Sequence, residues 1–258
     1  ASALMAHINA DLERKVRERT ARLQETVTEL EHFSYTITHD MRAPLRAMRG
    51  LGSLLAEECA DSMNPAQQDY VRRIAEAANR MDMLITDALN YSRFAHHDLE
   101  LEPVNHGELL RGILESYPQF QPPHARVEVN CHVPVTLGNL AAMLQCFSNL
   151  LSNAVKFVPP DRTPEIRVWD EPRDDFVRLW FEDNGIGIDP RYQDKIWLMF
   201  EQINQAYEGT GIGLALVRKV VERMGGRVGV ESEPGRGSRF WVDLRRVASG
   251  LQPSRQAA

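Results

Sequence analysis

The sequence predicts two folded parts in series: a helical hairpin that pairs with a second copy into a four-helix bundle, then an α/β sandwich with helices on one face of a mixed sheet. Three observations carry this. From Leu4 to about Glu58 nothing breaks a helix except Pro44 and two glycines, and a second helical pattern runs from Pro65 to about His96. After Pro103 the pattern changes to short alternating strands interleaved with helices. Two glycine clusters, Asp183-Asn-Gly185-Ile-Gly187 and Gly209-Thr-Gly211-Ile-Gly213, punctuate that second part.

The leading helix is dense in Glu, Arg, Leu and Gln. Leu12, Val16, Leu23 and Leu30 fall near a and d spacing, while Arg19 and Thr26 occupy heptad positions that should be apolar, so a moderate coiled-coil signal covers residues 1–30. Asn64 can cap and Pro65 suits a first helical position, so a turn precedes the second helix. In that helix Val71, Ile74, Ala78, Met81, Leu84, Ile85, Ala88, Leu89 and Tyr91 mark one wide apolar face. Two such helices bury too little alone, and dimerisation would cover the remainder. The hairpin is assigned to residues 31–98. The α/β domain is assigned to 99–247, with strands over Val127–Val135, Glu165–Asp170, Phe176–Asp183, Arg227–Ser232 and Arg239–Leu244. Helices are predicted over Asn139–Phe157 and Thr210–Met224, and residues 248–258 form a flexible tail.

Composition narrows the function classes. With 43% hydrophobic residues in 258, the chain can bury real cores, which excludes disorder as its main state. A net charge of -6 supplies no basic footprint for nucleic acid. No apolar run approaches the roughly 18 residues of a membrane helix, and no signal peptide opens the chain. A cytoplasmic location is therefore expected for this stretch. The sequence begins Ala-Ser-Ala, which leaves room for an upstream sensing or membrane-attached part. Cys59, Cys131 and Cys146 are odd in number and lack CxxC spacing, arguing against disulfides or a zinc site.

Glycine-rich turns let backbone amides approach phosphate oxygens, and a helix N-terminus adds a favourable partial charge. The second cluster, followed by Leu214-Ala-Leu-Val, has that form. A dinucleotide fold would want a glycine where Leu214 stands, and no GxxxxGK[ST] occurs. Asp183 ends an apolar strand, where a carboxylate can accept from an exocyclic amine such as that of adenine. Asn149 and Asn153 lie four apart on one helix face, offering amide oxygens to a hard cation, with Lys156 three further along.

The motifs Asn149xxxAsn153, Asp183xGly185xGly187, Phe200 and Gly209xGly211xGly213 resemble the N, G1, F and G2 boxes of the sensor histidine kinase ATP-binding domain, of Bergerat type. His39, in His-Asp-Met-Arg-Ala-Pro-Leu, resembles that family's phosphoacceptor box. The resemblance covers roughly residues 28–246. It implies that Asp183 contacts adenine, that Asn153 coordinates Mg²⁺ with Asn149 nearby, and that Lys156 faces phosphate. Gly185 and Gly187 would shape the base pocket; Thr210, Gly211, Gly213 and Leu214 would line the phosphates. Ser238 is a candidate to help hold adenine through water, with closure of its hairpin as the alternative role. The implied reaction uses ATP and Mg²⁺ to phosphorylate His39, with Asp40 orienting the ring or accepting its other proton. The phosphoryl group then passes to an aspartate of a response regulator receiver domain. Implied partners are a second copy, that receiver and an upstream sensory domain.

Two departures from the family pattern carry expectations. Between Lys195 and Arg218 there is no Lys, Arg or His, so phosphate contacts from this lid would come from Gln202, Asn204 and Gln205, and nucleotide retention should be weaker. Ala43 stands where relatives that dephosphorylate their receiver carry Thr or Asn, so phosphatase activity should be weak. Arg42 and Arg46 are read as solvated charges or as contacts for an acidic receiver, Phe33 and Tyr35 as core, and Trp197 and Phe200 as apolar pins for the lid. Two rival classes share parts of this pattern: a water-activating ATPase of the chaperone, mismatch-repair and topoisomerase group, and a catalytically weak nucleotide-binding scaffold. The first would place a Glu just before the Asn pair, where Gln145 and Ser148 stand.

Overall fold

The structure, a computed structural model, describes residues 2–96, 98–204, 207 and 209–247; the side chains of 2–10, 23–35, 37–39, 60 and 96 lie outside the description. It divides into two units, Ala1–Ser92 and Arg93–Ala258.

The first unit is an antiparallel helical hairpin. Helix α1 spans Ser2–Glu58 and contains Pro44, and α2 spans Pro65–His96. Asn64 and Gln67 form a reciprocal cap: the Gln67 amide donates to Asn64 Oδ1 and the Asn64 amide to Gln67 Oε1, both at 2.9 Å. The helices meet through small and apolar residues. Leu45 and Ala78 are buried, and a methyl on Gly52 would lie 3.6 Å from Ala75 Cβ. Arg42 is not a solvated charge: its Nη2 donates to Thr86 Oγ1 at 2.9 Å, and its Nε lies 3.8 Å from Asp82, so it ties α1 to α2. Arg46 is exposed. Large apolar side chains remain on the surface of both helices, among them Met41, Met48, Leu51 and Leu55 on α1 and Tyr70, Ile74 and Met81 on α2. The predicted core residues Phe33 and Tyr35 lie among the side chains outside the description.

The second unit is an α/β sandwich. Its elements are β1 (Glu102–Val104), α3 (His106–Ser116), β2 (Arg126–Asn130), β3 (Thr136–Gly138) and α4 (Leu140–Lys156), then β4 (Glu165–Arg173), β5 (Phe176–Asp183), α5 (Gly213–Arg223), β6 (Arg227–Ser232) and β7 (Ser238–Arg246). The sheet runs β1-β3-β7-β5-β4-β2, with β6 also paired to β7. Only β2 and β4 pair in parallel, so the sheet is mixed. Strand alternation sends Val177, Leu179, Phe181 and Asp183 of β5 to the buried side. There they meet α4, whose Met143, Phe147, Leu150 and Leu151 are fully buried, and the Phe147 and Phe181 rings lie 5.6 Å apart. Leu216, Val217, Val220 and Val221 bury the matching face of α5.

Two local features differ from expectation. The strand predicted over Val127–Val135 ends at Asn130, and β3 begins only at Thr136, because the amides of His132 and Val133 donate to the Asp170 carboxylate instead of to a neighbouring strand. Helix α3 emerges from a stretch without a clear helical reading, capped by Asn105, whose side chain accepts from the Glu108 amide at 3.0 Å.

Helix α4 carries Asn149 and Asn153, and its start is set by Asn139, which accepts from the Ala142 amide at 3.1 Å and donates to the Glu100 carbonyl at 3.1 Å. Replacing Asn139 by Ala should lower unfolding free energy by about 1–2 kcal/mol. Urea denaturation checks this: the midpoint should fall with unchanged slope.

Candidate nucleotide-binding site

Asp183 sits at the last position of β5, buried on the helix side of the sheet. Its Oδ1 accepts two backbone hydrogen bonds, from Gly185 at 2.8 Å and from Ser238 at 3.1 Å. Oδ2 has no hydrogen-bond partner among the described residues. Desolvation is the largest influence on this carboxyl and pushes it up to about 6, against the two amide bonds that favour its charge. A half-satisfied, desolvated carboxylate of this kind is suited to accept from an amine donor.

The loop after β5 is shaped by close backbone approach. Gly187 has φ +70, and a methyl there would lie 2.0 Å from the Glu233 carbonyl oxygen. The Ile186 carbonyl accepts from Gly235, and the Ile188 amide donates to Ser232 Oγ at 2.8 Å. Ser232 Oγ is also 2.9 Å from Ser238 Oγ. Ser238 therefore acts here through its backbone amide on Asp183 and its hydroxyl on Ser232, the hairpin-closing role. Ser232 and Asn184 belong to this scaffold and were not singled out in the sequence. Asn184 receives the Glu165 amide at 3.0 Å and donates to the Thr163 carbonyl at 3.0 Å. Only the Asp-Asn-Gly turn pattern pointed toward it.

The second glycine cluster opens α5. Gly211 has φ +71, its carbonyl accepts from the Phe200 amide at 2.9 Å, and a methyl on it would come within 2.8 Å of the Phe200 backbone. Thr210 Oγ1 accepts from the Ile212 amide at 3.3 Å, and Leu214 lies half-buried in the first turn of the helix. Gly213 faces Asn149, whose Nδ2 donates to the Gly213 carbonyl at 3.4 Å. One turn along α4, Asn153 is half-buried, and its side chain makes no hydrogen bond among the described residues. Lys156 Nζ sits 4.2 Å from the centre of the Phe157 ring, and a methyl on Gly209 would come within 2.9 Å of that ammonium. Thus Asn149, Asn153 and Lys156 line one side of the helix that faces the second glycine cluster. Phe157 in turn packs on Tyr207, ring centres 5.3 Å apart.

The intervening segment contains two surprises. Trp197 is buried against Phe240, ring centres 6.0 Å apart, as an apolar pin should be. Phe200 is 64% exposed at φ 65, and contributes its backbone amide rather than its ring. Gln202 Nε2 donates to the Gly209 carbonyl at 2.5 Å, so its amide braces the loop instead of pointing a free donor outward. Gln205 lies outside the described residues. In the first unit, His39 lies within α1 with its side chain outside the description, and Asp40 beside it is exposed.

Two family models match the chain: "His Kinase A (phospho-acceptor) domain" over residues 29–96 and "Histidine kinase-, DNA gyrase B-, and HSP90-like ATPase" over residues 138–248. Sensor histidine kinase AruS of Pseudomonas aeruginosa is 31% identical over 265 residues, covering 93% of this chain and 26% of its own length. Phytochrome-like protein Cph1 of Synechocystis sp. is 28% identical, covering 86% of this chain and 30% of its own length. The chain thus spans under a third of these relatives. Among solved structures, full-length ShkA in complex with AMPPNP superimposes with a TM-score of 0.63 at 28% identity, over 84% of this chain and 47% of that one. The mycobacterial sensor histidine kinase MprB gives a TM-score of 0.51 at 26% identity, over 58% of this chain and 100% of that one.

The raised Asp183 carboxyl makes a stability prediction. Its folded value lies above the unfolded one, so folding is favoured while it is protonated and penalised as pH rises through about 6. Relative to Asp183→Asn, the ligand-free wild type should therefore lose about 2–3 kcal/mol of unfolding free energy between about pH 4 and about pH 8. Parallel denaturant titrations at the two pH values check the sign and size.

Proposed function

Because the chain belongs to the sensor histidine kinases of two-component systems, we propose that it binds ATP through its second unit, phosphorylates its own His39, and passes the phosphoryl group to an aspartate of a separate receiver domain. The observation that carries the nucleotide half of this reading is Asp183, a desolvated carboxylate with both backbone donors on Oδ1 and Oδ2 left over. Adenine presents an exocyclic amine to such an acceptor; guanine presents a carbonyl oxygen at the same ring position, which it would repel. The triphosphate is assigned to the turn of Thr210, Gly211, Gly213 and Leu214, where backbone amides and the start of α5 favour negative charge.

Mg²⁺ fits the neighbouring residues: the Asn153 amide has no competing hydrogen bond among the described residues, and the Asn149 oxygen is only weakly engaged, 3.5 Å from Gln145 Nε2. Held by Asn153 and Asn149, it would supply neutralisation of the phosphate oxygens. Lys156, beside Gly209, adds a second positive charge at the phosphate end. The acceptor is the neutral imidazole of His39. Its unprotonated nitrogen forms a bond to the γ-phosphorus while the bond to the bridging oxygen breaks and ADP leaves. Asp40 takes the proton from the other ring nitrogen, leaving a neutral phosphoimidazole. Positioning supplies most of the rate, so the second unit must present its γ-phosphate to His39.

Dimerisation accords with the apolar side chains left on the surface of α1 and α2, including Leu51 and Ile74. Among the described residues no helix is long and apolar enough to cross a membrane. A sensory domain is the proposed source of the signal, relayed through the coiled-coil pattern of residues 1–30.

Incubation with γ-labelled ATP and Mg²⁺ tests the reading. Label should be acid-labile and alkali-stable, absent from His39→Gln, and reduced about 10²–10³-fold in Asn153→Ala. Excess unlabelled ATP should suppress labelling far better than GTP. Stable nucleotide binding without any labelling would refute autophosphorylation.

A further inference from the structure

Away from the nucleotide site, three metal-ligating side chains from distant stretches meet: His106 at the start of α3, Cys131 just past β2, and Asp170 on β4. One ligand atom from each lies within 4.8 Å of the other two. The juxtaposition follows from strand register. Asn130 pairs with Trp169 in the parallel β2–β4 ladder, which brings the next residues, Cys131 and Asp170, side by side. Asp170 itself pairs with Leu179, four residues before Asp183 on β5, so this cluster is separate from the nucleotide site.

The Asp170 side chain is 1% exposed, and its ion-pair partners among the described residues are histidines only: His106 Nε2 at 2.9 Å and His132 Nδ1 at 3.9 Å. Arg111 acts on Cys131 but forms no ion pair with Asp170. The carboxylate accepts from the His132 and Val133 amides and lies within hydrogen-bond distance of His106 Nε2, but no Lys or Arg pairs with it among the described residues, so a cation is the positive charge this cluster can still take up.

We propose that His106, Cys131 and Asp170, with His132 as fourth ligand, form a zinc site. One thiolate, two imidazoles and a carboxylate suit a borderline-soft ion of tetrahedral preference. The fourth position falls to His132 because its ring is 85% exposed and free to turn, while its Nδ1 already lies 3.9 Å from Asp170 Oδ1. Thr136 Oγ1, 3.3 Å from His106 Nδ1, completes the arrangement: with zinc on Nε2, the ring proton moves to Nδ1 and is donated to that hydroxyl. The imidazole stays neutral throughout. The Cys131 sulfur exchanges its proton for the metal, so one proton is released per zinc bound. The ion would clasp the start of α3 and the β2–β3 connection to β4.

Cobalt titration of the full chain under reducing conditions tests this. One equivalent of Co²⁺ should produce intense tetrahedral visible bands and a near-ultraviolet thiolate-to-metal band, both displaced by Zn²⁺. The thiolate band should vanish in Cys131→Ser and survive in Cys59→Ser. Zinc should raise the thermal midpoint of the wild type and not that of Cys131→Ser. Zinc-edge X-ray absorption of the wild type needs no variant and should show a single sulfur at about 2.3 Å. No binding, a shell of nitrogen and oxygen alone, or a thiolate band that persists in Cys131→Ser would overturn the proposal.

Discussion

The pairing of β5 with β7 is the constraint on which the second unit depends. In this register Asp183 stands opposite Ser238, and on its other side opposite Ile166 of β4. That places the carboxylate at the end of a central strand, within reach of the Ser238 amide across the ladder and the Gly185 amide down the chain. Because side chains alternate between faces, a slip of one residue would turn Asp183 to the outer face together with Val177, Leu179 and Phe181, and would turn Glu182 inward. The same register that builds the core of Leu179 and Phe181 therefore aims the acceptor. The packing of the core and the aim of this carboxylate share one cause here.

Much of this was legible in the sequence, because its signals are local. The limits of β5 and β6 coincide with the alternating runs that predicted them, since a strand buried on one face must alternate. The glycine and asparagine motifs were legible for a related reason: positive φ, helix-face spacing and strand ends are properties of short stretches. What escaped depends on distant partners. The break between β2 and β3 is imposed by Asp170, 38 residues away from the amide it accepts. The role of Arg42 is fixed by Thr86 on the other arm of the hairpin. Phe200 looked like a buried aromatic by type, yet its backbone, not its ring, is what the loop uses. Cys131 has only the adjacent His132 near it in sequence, and strand pairing brings it to His106 and Asp170.

Two buried carboxylates on adjacent strands illustrate how local hydrogen bonding decides charge. Burial pushes both upward. At Asp183 it prevails over two amide bonds directed at one oxygen, and the group rises to about 6. At Asp170 the amides of His132 and Val133 and the ring of His106 together outweigh it, and the group ends below its ordinary value. One strand thus holds a carboxyl that is easily neutralised, and its neighbour holds a fixed anion.

The row of apolar side chains left uncovered on the hairpin has a thermodynamic consequence. Two long helices that bury only a narrow seam between them, at residues such as Leu45 and Ala78, owe a large part of their cohesion to a second molecule. For such a unit folding is second-order, its apparent free energy rising with the logarithm of chain concentration, while the sandwich domain remains first-order. The abundance of the protein in its compartment therefore sets how much of the hairpin is assembled, independently of any ligand.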